Sequence, residues 1–376
     1  MVLTGGGARA AYQVGVLRAL SHILPRGCPN PFPIVCGTSA GAVNAAAIAA
    51  GAMDFHRAVR RLVLIWKSLR AEQIYRTDPL GVAVTGFRWL AALIVGGLGK
   101  NNPTSLLDNA PLAKLLNDLL DLEGVQRAID AGSLRALAIS ASGYTSGQSV
   151  TFFQGDATLL GWHRARRAGS AVKIGMDHLL ASSSLPFIFP AVRIHREFFG
   201  DGSMRQIAPV SPALHLGADR LFVIGVGRPP DEHAERVRAD TYPSLADIAG
   251  HALNSIFLDS LEVDLERLQR INRTVRLIPY DERMRSGFPL REVDVLVINP
   301  SEELDLIAAK YAHTLPRAIR WLLRGLGATT RTGSTFISYI LFAPSYCQAL
   351  INLGYRDTMS RRDEVVRFLG DVPKKA

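Results

Sequence analysis

Ser39 sits in Gly37-Thr38-Ser39-Ala40-Gly41, a G-x-S-x-G run whose serine can act as a nucleophile. Ahead of it, Pro33-Ile34-Val35-Cys36 is short, apolar and β-branched, which predicts a buried strand. Behind it, Ala42 to Ala50 is rich in helix formers and stops at Gly51. Together they predict a sharp strand-to-helix turn, in which Gly37 and Gly41 leave room for a strained serine with its Oγ pushed clear of the backbone. The N-terminus of the following helix favours negative charge developing beside it.

A second run concerns the same chemistry. Val2-Leu3-Thr4 reads as a strand stub, followed by Gly5-Gly6-Gly7-Ala8-Arg9 and then a helical pattern through Tyr12, Val16, Leu17 and Leu20. Glycines between a strand and a helix expose backbone N–H groups that can point at an anion. Gly5, Gly7 and Ala10 also fit the relaxed dinucleotide fingerprint, which needs an acid about 20 residues on to hold a ribose. The chain has no Asp or Glu before Asp54, which argues against that use. An oxyanion hole is the better use of these amides, each such donor being worth about 3–4 kcal/mol in an acyl-transfer transition state.

A serine nucleophile needs a base. None of the nine histidines stands at an obvious strand end followed by a turn. Asp201-Gly202 does: it follows the strand-like Glu197-Phe198-Phe199-Gly200 and precedes Ser203-Met204-Arg205-Gln206. An Asp-Gly pair is equally the commonest hairpin-turn signal, so the residues alone leave both readings open.

The glycine run, the G-x-S-x-G run and Asp201-Gly202 stand in the order, and at roughly the spacing, that resembles the patatin-like lipid acyl hydrolases. Ala181-Ser182-Ser183-Ser184-Leu185-Pro186 before the Asp-Gly and Ala208-Pro209-Val210-Ser211-Pro212 after it add to the likeness. The resemblance covers residues 1 to about 228. It implies a three-layer α/β/α sandwich around a mostly parallel sheet and a Ser39–Asp201 dyad in place of a triad. It further implies an oxyanion hole from Gly5, Gly6, Gly7 and Ala8, with Arg9, Gly37, Gly41 and Gly202 in support. Neither a metal nor an organic cofactor is implied. Without an imidazole relay, the dyad works only if burial raises the Asp201 pKa and the oxyanion hole carries much of the stabilisation. The implied substrate is a membrane phospholipid or another acyl-lipid, cleaved through an acyl-enzyme.

Composition fits. The chain has 376 residues, 48% of them hydrophobic, a formal net charge of +10 and a mean hydropathy of +0.14. Such a basic balance suits nucleic acid or an anionic membrane surface. No helix-turn-helix, zinc-finger spacing or aromatic RNA-binding strand accompanies the charge, so nucleic acid is the weaker expectation. His163-Arg164-Ala165-Arg166-Arg167 reads as a solvated face, with lipid headgroups as the functional alternative. Cys28, Cys36 and Cys347 are scattered and odd in number, giving neither a disulfide framework nor a zinc site. No signal-peptide h-region precedes the glycine run, so the expected location is cytoplasmic, with peripheral membrane contact. Val2-Leu3-Thr4 is short for a central strand, which suggests that the native chain begins a few residues upstream.

No stretch reaches the roughly 20 apolar residues that span a bilayer. Phe87 to Gly99 and Phe336 to Ala343 come closest, as buried packing segments or as interfacial contacts. The pocket walls are expected from loops, mainly 76–110 and 155–190.

The positioning elements follow. Leu134 to Ala141 and Val150 to Phe153 read as strands about the turn Tyr144-Thr145-Ser146-Gly147, and Leu221 to Val226 as a buried strand. Ser244 caps a helical pattern through Leu245, Ile248, Ala252, Ile256, Leu261, Leu265 and Leu268. Val275 to Pro279 and Val293 to Ile298 are further strand candidates, and 304–326 is helical with a break at Pro316. The expected organisation is a catalytic core over 1–228, an extension adding strands and helices over 229–326, and a helical tail over 327–376, with a hinge near 325–333. Competing functions are an acyltransferase or thioesterase on soluble thioesters, and a lipid-binding protein with a vestigial site.

Overall fold

The computed structural model describes residues 1–78, 105–228, 244–285, 291–325 and 334–370. The apolar segment Phe87 to Gly99 and most of the expected hinge lie outside the described residues.

Ten strands form one mixed, mostly parallel sheet: β1 (Val2–Leu3), β2 (Ile34–Thr38), β3 (Ala136–Gly143), β4 (Ser149–Gly155), β5 (Trp162–Arg164), β6 (Arg167–Ala171), β7 (Val192–Ile194), β8 (Glu197–Asp201), β9 (Arg220–Ile224) and β10 (Asp294–Ile298). The order is β10-β9-β1-β2-β3-β4-β6-β5, with β8 on β3 and β7 on β8. β1 is only two residues long, yet central: Val2 pairs with Cys36 on one side and Val223 on the other.

Alternation along the strands splits the core between the two faces. Leu3, Val35, Leu137, Ile139, Phe222 and Ile224 point into one hydrophobic cluster, and Val2, Ile34, Cys36, Ala136, Ala138 and Val223 into the other. Helices Ala11–Ile23, Ala40–Ala50, Phe55–Ser68 and Pro344–Ser360 cover the first face. Helices Ser211–His215 and Ser260–Leu277 cover the second. This is the expected three-layer α/β/α arrangement with a helical C-terminal region.

Ser244 caps its helix, accepting from Asp247 N at 3.2 Å, and Pro316 separates helices Leu304–Tyr311 and Arg317–Gly325 as its chemistry demands. One strand expectation fails. Val275 to Leu277 form the last turn of helix Ser260–Leu277. Val275 is buried seven residues after Leu268, itself seven after Leu261, so helical register on the sheet overrides the β-branched signal. The basic run His163 to Arg167 forms the exposed hairpin β5–β6 at the sheet edge, where charge discourages pairing with another chain.

No single described helix is long and apolar enough to cross a membrane. The bent pair Ser334–Ile340 and Pro344–Ser360 has the composition, and its apolar residues Ile337, Ile340, Leu341, Leu350 and Ile351 are buried in the core.

Candidate active site

The sheet itself brings Ser39 and Asp201 together. β3 carries β4 along one edge over Ala136 to Ser142, so β2 and β8 must share the other edge. β2 runs parallel to β3 and ends with Thr38 opposite Ser140, while β8 runs antiparallel and ends with Asp201 opposite Ala141. The two strands meet end to end, and the residues at their tips touch. Ser39 Oγ donates to Asp201 Oδ2 at 2.5 Å.

Ser39 occupies φ 56, ψ −131, a region that L side chains rarely adopt, as expected of a strained nucleophile turn. The turn is tied down locally: Ser39 N donates to Ser182 Oγ at 2.9 Å, and Ser182 Oγ donates to Ser140 O at 2.6 Å. Thr38 Oγ1 donates to Gln206 Oε1 at 2.7 Å, whose Nε2 donates to Ser140 Oγ at 3.0 Å. Gly37 and Gly41 pack tightly at the turn: a Cβ on Gly41 would lie 2.4 Å from Thr4 O.

Asp201 is 0% exposed. Its Oδ1 accepts from Ser203 N at 2.9 Å, capping the short 3₁₀ turn Gly202–Met204. Burial pushes its carboxyl up to about 6 from 3.8, against the opposing pull of hydrogen bonds from Ser39 and Ser203. The pair therefore holds a carboxylate desolvated enough to want a proton and a hydroxyl already aimed at it. A Cβ on Gly202 would lie 2.1 Å from Ser140 O, so only glycine lets the chain turn away here. Asp201-Gly202 thus ends a strand at the site and is not the tip of a hairpin.

The glycine run follows β1. Gly7 to Ala10 form a 3₁₀ turn that leads into helix Ala11–Ile23, and Gly5 to Arg9 are all buried. A buried amide network holds this segment to helix Ala40–Ala50: Gln13 Nε2 donates to Thr4 O, Asn44 Nδ2 to Gln13 Oε1, and Trp66 Nε1 to Asn44 Oδ1, at 2.8, 2.9 and 2.8 Å.

Gly7 and Ser39 border a narrow apolar cavity. Its walls come from Val43 and Ala47 of helix Ala40–Ala50, Leu62, Ile65 and Trp66 of helix Phe55–Ser68, Leu112, Leu116 and Leu119 of helix Ala110–Leu119, and Phe342. Loops 155–190, expected as walls, supply only Ser183, Leu185 and Phe189, and most of 76–110 lies outside the described residues. The cavity abuts a surface cleft sharing Ala47, Leu62, Ile65, Leu119 and Leu120, whose lining also holds Arg57, Arg61 and Arg127 with Asp54 and Asp121.

No described histidine lines the cavity, and no group of three or more His, Cys, Asp or Glu able to hold a metal occurs among the described residues. Sequence reasoning assigned no role to Ser182, Thr38, Gln206 or Ser203. Ser182 lies in the run quoted for the resemblance, and position is all that marked it.

A cGAMP-activated phospholipase from Pseudomonas aeruginosa (strain BWHPSA011 / Pa011) is 27% identical over 219 residues, covering 57% of this chain. The chain spans 55% of that relative's length. The family model for patatin-like phospholipases matches residues 1–214, more than half of the chain and a span that holds the glycine run, Ser39 and Asp201, and the chain therefore belongs to the patatin-like phospholipase family.

Proposed function

We propose that this chain hydrolyses carboxylic-ester bonds of phospholipids or related acyl-lipids, as a phospholipase A or lysophospholipase, with Ser39 as nucleophile and Asp201 as its base. One observation carries the reading: a 2.5 Å Ser39–Asp201 hydrogen bond at the end of an apolar cavity that suits an acyl chain.

In this mechanism Asp201 Oδ2 takes the Ser39 proton as Oγ attacks the ester carbonyl. Amides of the loop Gly5 to Ala8 stabilise the tetrahedral oxyanion. Asp201 then gives the proton to the departing alcohol, leaving the acyl group on Ser39 with its chain in the cavity. Water attacks the acyl-enzyme, loses a proton to Asp201, and the proton returns to Ser39 as the fatty acid leaves. The raised Asp201 pKa narrows the gap to the serine hydroxyl and makes direct transfer feasible. The net charge of +10 supports contact with an anionic membrane from the cytoplasmic side.

The test is labelling by a fluorescent fluorophosphonate, together with turnover of phospholipid vesicles and of a short-chain nitrophenyl ester. Labelling with vesicle turnover is the expected result. Turnover of soluble thioesters without vesicles would replace the lipid substrate, and a folded protein that neither labels nor turns over would overturn the reading.

Two further outcomes follow from the site. Because Asp201 must be ionised to accept the proton, kcat/KM should fall about tenfold per pH unit below pH 6 and level off above it. A pH profile on the nitrophenyl ester checks this. Ala47 is small where the cavity meets the outer cleft, so Ala47→Phe should shorten the usable chain. Relative to a four-carbon ester, turnover of a sixteen-carbon ester should drop roughly 10- to 200-fold, the range for methylene-scale misfits in apolar pockets.

A further inference from the structure

The side of the glycine loop away from Ser39 rests on a part of the chain outside the family match. Arg9 is 3% exposed, and a buried guanidinium is costly unless its charge and donors are met. Its Nε donates to Ser338 Oγ at 2.7 Å, and its guanidinium carbon lies 4.1 Å from the centroid of the Tyr339 ring. Both partners belong to helix Ser334–Ile340, 329 residues further along the chain in the case of Ser338.

Tyr339 meets the loop directly at Gly7 and through Phe257 at Gly5. A Cβ on Gly7, which has φ +53, would lie 2.2 Å from Tyr339 O, so the loop backbone lies directly against that carbonyl. The Tyr339 ring stacks on Phe257 at 5.1 Å between centroids, and the Phe257 ring lies 2.8 Å from where a Cβ on Gly5 would be. Tyr339 is itself fixed, its hydroxyl donating to Asn254 Oδ1 at 2.8 Å, and Ser338 Oγ donates to Thr335 O at 2.6 Å. One residue on, Ile340 O accepts from Tyr75 OH at 3.0 Å, and Phe342 lines the acyl cavity.

We propose that Tyr339 and Ser338 are positioning residues that hold the glycine loop through Arg9, so that competence of the oxyanion site depends on the docked helix Ser334–Ile340. The proposal rests on the ester-hydrolase reading. Its physical reason is the geometric demand of oxyanion stabilisation: donors must already stand where charge will develop, and a misplacement of about 1 Å costs about 100-fold in rate. Most of the acyl cavity belongs to other helices, so substrate binding should be spared.

The test uses the full chain and two variants. Tyr339→Leu removes the ring face under Arg9 and the stack on Phe257, whereas Tyr339→Phe keeps both and loses only the hydroxyl. On a short-chain nitrophenyl ester, Tyr339→Leu should lower kcat about 100-fold with KM within about threefold of wild type, and Tyr339→Phe should stay close to wild type. Hydrogen exchange of the amides from Leu3 to Ala11 should speed up in Tyr339→Leu and not in Tyr339→Phe. Should Tyr339→Leu fail to fold, Ser338→Ala carries the test, with kcat down about tenfold and KM unchanged, the scale of one hydrogen bond to a charged group. An unchanged kcat in a folded Tyr339→Leu, or unchanged loop exchange, overturns the clamp. Absence of turnover in wild type overturns the hydrolase reading instead, and loop exchange then decides by itself whether Tyr339 holds the loop.

Discussion

Replacing Ser39 by alanine should abolish ester turnover and fluorophosphonate labelling, a loss on the order of 10⁴-fold or more, as for other serine nucleophiles. The variant should keep its fold, because the turn is held by the Ser39 amide to Ser182 Oγ and by the Thr38–Gln206–Ser140 bonds, none of which uses the Ser39 hydroxyl. Ser39→Gly adds a second readout. At φ 56, ψ −131 a side chain is strained, at a cost on the order of 1–3 kcal/mol. Glycine relieves that strain and alanine does not. Both variants should therefore be inactive, with Ser39→Gly melting at the higher temperature. A lower melting point for the glycine variant would show that the turn is unstrained.

Asp201→Asn should also be damaging, reducing kcat by roughly 10²- to 10⁴-fold, the range for loss of a general base. Asparagine keeps the volume, and its oxygen can still accept from Ser203 N, so the loss is chemical. The same change should raise thermal stability. A buried acid whose pKa stands at about 6, against 3.8 when exposed, binds its proton more tightly in the folded state. Its ionisation thus opposes folding: stability declines as pH rises from about 4 to 6 and stays lowered above that, by about 3 kcal/mol for a shift of roughly two units. Asparagine carries no charge and escapes this penalty, offset in part by a weaker bond to Ser39. A melting curve at pH 7.5 should place Asp201→Asn a few degrees above wild type, and at pH 4 the gap should close. Equal melting points at pH 7.5 would mean that Asp201 is already protonated there, in conflict with its role as base.

The placement of Ser39 beside Asp201 is the most legible part of the candidate site, because it depends on unusual residues at fixed places. The serine between glycines, the glycine run and the aspartate at a strand end each break ordinary propensity. The strands β2, β3, β4, β9 and β10 could be read from apolar runs of the right length. The apolar cavity could not, because Val43, Leu62 or Leu116 look the same on a helix whether they face a neighbour or an empty channel. Val275 was misread for a related reason, its β-branched character being outweighed by its register with Leu261 and Leu268. Ser182, Gln206 and Ser338 make hydrogen bonds to residues distant in sequence, and nothing local marks such a partner.

The sequence distances within the site set the order in which it can come into being. Ser39 waits for Asp201, 162 residues later, and β1 lacks its second neighbour until β9 has emerged, since Thr4 N–H pairs with Ile224 O. Such non-local pairing forms late, after loop closure has been overcome. Arg9 meets Ser338 only when almost the whole chain exists. A ribosome-bound or truncated product that stops short of β8 therefore carries Ser39 without Asp201, and the pair cannot form until those 162 further residues have been made.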